Sequence, residues 1–277
     1  MIKDNQYLIG FMQGRLSPLV DGKIQAFPWD NWRNELSTAN EYDFNIIEWT
    51  LDQSRLYENP LMTDVGQKEI KALSNNYKIS IPSLTGDCFM HAPFYKTKDK
   101  ENLLNDLKNI ITSCSLLGIG YIVFPLVDDG KLENIEQEKA LKKGLALFDS
   151  ELFTAGIKII FESDFSPKRL KDFISGFPSE IYGINYDIGN SAALGFNSKD
   201  EIDAYGDRIL NVHIKDRVLH GTTVPLGSGD ADIPKVLKKL NAINYSGNYI
   251  LQTARAVDEN HTFVLCQYRD QLIEWME

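Results

Sequence analysis

The chain has 277 residues, 43% of them hydrophobic and 25% charged, and a mean hydropathy of −0.27, the balance of a water-exposed protein with a large apolar core. Lys and Arg number 29 against 39 Asp and Glu, a formal charge of −10 that repels phosphate backbones and anionic lipid and argues against sequence-independent nucleic-acid binding. No apolar run reaches the roughly 18 residues of a membrane span, and the first twenty residues show no charged segment leading into an apolar one, so a cytoplasmic location is expected.

Along the chain, short β-branched runs alternate with amphipathic stretches. The first run, residues 7–12, is followed by a long loop and a helical stretch that Asp30 opens and that reaches Tyr42. Runs at 46–51 and 79–84 come next, then the clearest helix, 101–117, with Leu103, Leu104, Leu107, Ile110, Ile111, Cys114 and Leu117 at helical spacing and Gly118 as its stop. A run at 121–127 leads to a second long helix, 135–153, stopping at Gly156, and a run at 157–161 to a helix begun by Ser166-Pro167. The last three runs are 181–188, 209–214 and 249–251, with a helix between the latter two started by Asp232 ahead of Ile233-Pro234. Eight βα units without a Pro/Ser/Gly-rich linker predict one α/β domain over residues 1–277, a (β/α)8 TIM barrel of parallel strands. The first run ends Met12-Gln13-Gly14-Arg15, not in a G-x-G-x-x-G turn, which disfavours a dinucleotide fold. Cys88, Cys114 and Cys266 have no CxxC spacing and suggest neither disulfides nor a thiolate zinc site.

Barrel chemistry sits at the carboxyl ends of the strands. There the sequence collects Gln13 and Arg15, Glu48, Asp87 with His91, Asp128 and Asp129, Glu162 with Asp164, Asp187 with Asn190, His213 with Lys215, Asp216 and Arg217, and Gln252 with Arg255. Glu162, Asp187 and His213 close the fifth, sixth and seventh runs, so two carboxylates and one imidazole should face a common volume. Like charges buried together repel and lose hydration; a shared cation resolves this, and an oxygen and nitrogen donor set without thiolate suits Mn²⁺, Co²⁺, Mg²⁺ or Zn²⁺.

The stretches Ile46-Ile47-Glu48-Trp49, Phe161-Glu162-Ser163, Tyr186-Asp187-Ile188-Gly189-Asn190, Val212-His213-Ile214-Lys215-Asp216 and Val224-Pro225-Leu226-Gly227-Ser228-Gly229-Asp230, in this order, resemble the xylose-isomerase-like superfamily of sugar phosphate isomerases and epimerases. The resemblance spans the chain. It implies that Glu162, Asp187 and His213 match three of four ligands to one divalent metal ion. The family's fourth ligand, a glutamate ending strand eight, is here Gln252, whose amide oxygen can still meet a cation but which cannot take a proton. The implied reaction removes a proton beside a carbonyl to give an enediolate, with Glu162 as base. Epimerisation needs a second group on the opposite face, assigned by the resemblance to the glutamate that Gln252 replaces; Lys215, Asp216 or a water on the cation remain as candidates. Isomerisation needs one base only, and the substitution tilts the reading towards it.

Arg15, Lys215, Arg217 and Arg255 all follow strand ends and could clamp a phosphate or carboxylate, with the Gly227-Ser228-Gly229 amides approaching the same anion; salt bridges and a plain turn are the alternatives. Glu48, His91 and Asn190 complete the expected substrate contacts. His91 either bonds a sugar hydroxyl or belongs to a packed loop, and Trp49 at the mouth could stack on a sugar face. Phe27-Pro28-Trp29 and Trp32 either cover the site or bury against a second subunit, which would make the chain a homo-oligomer. His220 and His261 are expected at the surface. The leading expectation is thus a metal-dependent isomerase or epimerase of a small, phosphorylated or otherwise anionic sugar. The alternatives are an inosose-type dehydratase on the same barrel, a non-catalytic sugar binder favoured by Gln252, and an abasic-site endonuclease, disfavoured by four histidines and the charge of −10.

Overall fold

In a computed structural model, residues 7–277 are described; the opening six residues, part of the segment read as lacking a leader, lie outside them. Eight parallel strands close into a barrel in the order first, eighth, seventh, sixth, fifth, fourth, third, second. They are Ile9–Met12, Ile47–Thr50, Ser83–Thr85, Tyr121–Leu126, Lys158–Ser163, Tyr182–Asp187, Ile209–Ile214 and Asn248–Leu251. The third falls short of the expected 79–84 because Pro82 has no N–H for the ladder; its carbonyl instead accepts from Gly120 and Tyr121. Lys100–Leu117 and Ile233–Ala242 form as read, the first ending on Gly118 at φ 74°, the second capped by the Asp232 carboxylate on Lys235 N–H. The helix opened by Asp30 begins later, at Trp32. The stretch 135–153 is broken by a 3₁₀ turn, Ala146–Phe148, yet Leu141, Leu145, Phe148 and Leu152 stay buried along it.

Alternation along the strands sorts the core into two compartments. Outward residues join the helices in one large apolar cluster, whereas Met12, Ile46 and Ile250 form a small separate one. Met12 pairs with Glu48, and Ile250 with His213, so both line the lumen. Gly10 is required here: a Cβ on it would lie 2.4 Å from Ile46 Cγ2. Beside this apolar group the lumen is polar, with Glu48, Ser83, Thr85, Asn185, Asn211 and His213 all buried. A register shift between Ile184 and Asn185 brings Asn185 beside Asn211 and Asp187 beside His213.

The long first loop is fastened from beneath by Glu35, whose carboxylate accepts from Gly14 N–H (2.9 Å) and Leu16 N–H (3.0 Å). Burial pushes this carboxyl up to about 7 from its ordinary 4.5, against those hydrogen bonds. The folded chain therefore holds the Glu35 proton more tightly than the unfolded chain. Its stabilising contribution is complete below pH 4.5 and is lost as pH rises towards 7, a decline of about 3 kcal/mol from this group alone. Glu35→Gln is expected to flatten the decline, measured as the urea midpoint at pH 5 and pH 8.

Candidate active site

Glu162, Asp187 and His213 meet at the carboxyl mouth. One ligand atom from each lies within 4.8 Å of the others, and all three side chains are buried. The expected convergence of the fifth, sixth and seventh strands is what the register produces, since Asp187 and His213 are paired neighbours. His213 Nε2 lies 2.7 Å from Glu48 Oε1, while Nδ1 lies 3.3 Å from Glu162 Oε2 and 4.0 Å from Asp187 Oδ2. Burial disfavours the imidazolium, but Glu48 and Glu162 overcome it and push His213 up to about 10. The two carboxyls are driven apart. Burial raises both, but at Glu162 the bond and charge of His213, with Lys215 and Asn185, win and hold it below the usual range, whereas Asp187 stays raised despite Lys215.

Beneath this group Glu48 is a buried support, correcting its expected role as a substrate contact. It is 0% exposed and accepts from Ser83 Oγ (2.6 Å), Asn211 Nδ2 (3.0 Å) and Thr85 Oγ1 as well as facing His213. Burial would raise its carboxyl; His213 and the two hydroxyls hold it low. Removing it strands four polar partners, so Glu48→Ala is expected to cost about 3–5 kcal/mol in urea unfolding, with Glu48→Gln milder.

Asn190 likewise acts on a site residue. Its Nδ2 donates to Glu162 Oε1 (2.8 Å), and its Oδ1 accepts from Arg217 Nη1 (2.8 Å). Lys215 Nζ lies 2.6 Å from Asp187 Oδ2 and donates to Gln252 Oε1 at 3.0 Å, so any cation at the mouth shares these oxygens with an ammonium. Gln252 Nε2 donates to Gln25 Oε1 (2.8 Å), and Gln25 Nε2 to Asp87 Oδ2 (2.6 Å). Gln25, from the first loop, thus spans the mouth. Sequence reasoning passed over it, and only the unusual length of that loop hinted at a residue reaching inwards.

The anion clamp is not what these residues form. Arg15 is 3% exposed, its guanidinium donating to the carbonyls of Thr253 (3.1 Å) and Ile24 (3.0 Å); burial and neighbouring Arg255 lower it to about 9. Arg255 donates to the carbonyls of Gly14 and Ser17, and Arg217 to that of Gly221. The amides of Gly227, Gly229 and Ala231 turn onto the buried Asp216 carboxylate at 2.9–3.1 Å. Each cation has found an acceptor in its own chain, because loops this tightly wound leave carbonyls that need donors.

Three aromatic and imidazole expectations also change. Trp49 is 0% exposed: Glu48 points into the lumen, so its neighbour points out, where its indole donates to Asn59 Oδ1 and packs against Phe27 and Trp32. Phe27 and Trp32 are buried in this same cluster, neither over the site nor facing out. His261 is buried, its Nδ1 accepting from Ala256 N–H, contrary to the expected surface position; His220 is exposed as read. His91 ends a short helix, Asp87–His91, and is exposed, which sets aside the packed-loop alternative.

The xylose isomerase-like TIM barrel family matches residues 36–264, and the chain belongs to that family. A Haemophilus influenzae protein named "Putative L-ribulose-5-phosphate 3-epimerase SgbU" is 24% identical over 270 residues, covering 89% of this chain and 92% of that one. Among solved structures, a xylose isomerase domain protein from Planctomyces limnophilus superposes with a TM-score of 0.77 at 15% identity, covering 98% of this chain and 97% of the other. The IOLI protein, solved with a bound zinc atom, gives 0.74 at 16% identity with 97% of each chain covered. These likenesses carry the barrel.

Proposed function

We propose that this chain is a single-domain, divalent-cation-dependent isomerase or epimerase of a small sugar or sugar phosphate. The observation that carries the reading is the meeting of Glu162, Asp187 and His213 within 4.8 Å at a buried mouth. This set fits a hard or borderline cation: two carboxylates, and an imidazole whose Nε2 is engaged by Glu48 while Nδ1 faces the carboxylates. Glu162, Asp187, His213 and the amide oxygen of Gln252 would hold the ion, one of Mn²⁺, Zn²⁺, Co²⁺ or Mg²⁺. When bound, it polarises the substrate carbonyl and makes the neighbouring C–H more acidic.

The remaining work falls to the chain. Glu162, low in its titration and so ionised, accepts the proton from carbon. Asn190, backed by Arg217, fixes the carboxylate oxygen not turned to His213. Lys215 lies beside Asp187 and Gln252, where a sugar oxygen gaining negative charge would find a donor. The test is elemental analysis of the purified chain together with solvent-deuterium incorporation into L-ribulose 5-phosphate and into unphosphorylated ketoses. About one divalent ion per chain and deuterium on the carbon beside the carbonyl are expected. A metal-free chain that exchanges none of these sugars would overturn the proposal.

A further inference from the structure

Inverting one carbon through a planar intermediate requires a proton taken from one face and another delivered to the opposite face. Glu162 supplies the first, and Gln252, carrying an amide, cannot supply the second. The other acids near the mouth are committed or misplaced. Glu48 is sealed below the site, Asp187 is paired with Lys215, Asp216 is caged by three amides, Asp52 accepts from Phe27 N–H, Asp164 pairs with Lys131, and Asp128 and Asp129 are exposed.

Asp87 is different. It stands two residues beyond the third strand, above the level of Glu162, which lies within the fifth. In the closed order the third strand is diametrically opposite the seventh, so Asp87 confronts the His213 side across the mouth. One carboxamide, that of Gln25, bridges it to Gln252, which is the span a small sugar displacing Gln25 would occupy. The side chain is 8% exposed, and burial, aided by Asp52 and Glu162, pushes its carboxyl up to about 7 against the Gln25 bond.

We infer that Asp87 is the second proton carrier of the site, touching the substrate from the mouth side while Glu162 works from the barrel side. This rests on the proposed function and deepens it to epimerisation. In the step, the Glu162 carboxylate removes the C–H proton and the bonding pair becomes the enediolate double bond. That pair then takes the proton of the Asp87 carboxylic acid on the opposite face, restoring the carbonyl. Glu162 ends protonated and Asp87 ionised, and exchange with water resets both.

The experiment is a comparison in D₂O, with a divalent ion and L-ribulose 5-phosphate, of the wild type, Asp87→Asn and the double variant Asp87→Asn/Gln252→Glu. The wild type is expected to form the epimer carrying deuterium at the inverted carbon. Asp87→Asn should still wash deuterium into recovered substrate through Glu162 while losing epimer formation by roughly 100-fold or more, and the added glutamate should restore it. Epimer formation by Asp87→Asn within threefold of wild type, or equal loss of exchange and inversion without rescue, would overturn the assignment alone. Absence of exchange in the wild type would overturn the proposed function, and this inference with it.

Discussion

Glu162→Gln is expected to lower deuterium exchange by roughly 10³-fold, within the range that a positioned base supplies. The substitution keeps the shape and leaves one oxygen for Asn190 or Asn185, whose Nδ2 atoms lie 2.8 Å and 2.9 Å from the native carboxylate. What it removes is the proton acceptor. Because Glu162 would also help to hold the cation, metal content must be measured on the same sample. A variant still loaded with metal yet inert separates the base from the ligand, whereas undiminished exchange would exclude Glu162 as the base.

His213→Ala is expected to reduce divalent-ion affinity by more than about 100-fold, read by elemental analysis after dialysis. It removes the only nitrogen donor of the converging set. It also leaves Glu48, 0% exposed, facing an empty space, so a stability loss of about 3–5 kcal/mol should accompany it. Asp187→Asn offers the complementary case: it weakens the ion site without disturbing the lumen, and should lose metal with the smaller stability cost. Retention of one ion per chain by both variants would remove these residues from the ligand set.

Periodicity made the eight strands legible and, through them, the meeting of Glu162, Asp187 and His213, since residues closing consecutive parallel strands must lie side by side. It could not show hydrogen-bond commitments. Arg15 and Arg255 have the composition of an anion clamp, but their donors go to carbonyls of loop residues remote in sequence. Alternation alone could have placed Trp49 outside the lumen once Glu48 was placed within it. Asp87 was legible at a strand end, but Gln25 and its meeting with Asp87 were beyond reach, because that juxtaposition depends on the path of a long loop, which no periodic signal records.

The polar lumen also restricts how this sequence can change. Glu48, Ser83, Thr85, Asn185 and Asn211 hydrogen-bond to one another and to the two site residues above them across four different strands. Exchanging any one for an aliphatic residue orphans its neighbours, while exchanging all together would favour a sturdier cylinder with nothing to steady His213. Evolutionary drift towards an ordinary hydrophobic interior is therefore barred at its first step, and the scaffold stays tied to its chemistry.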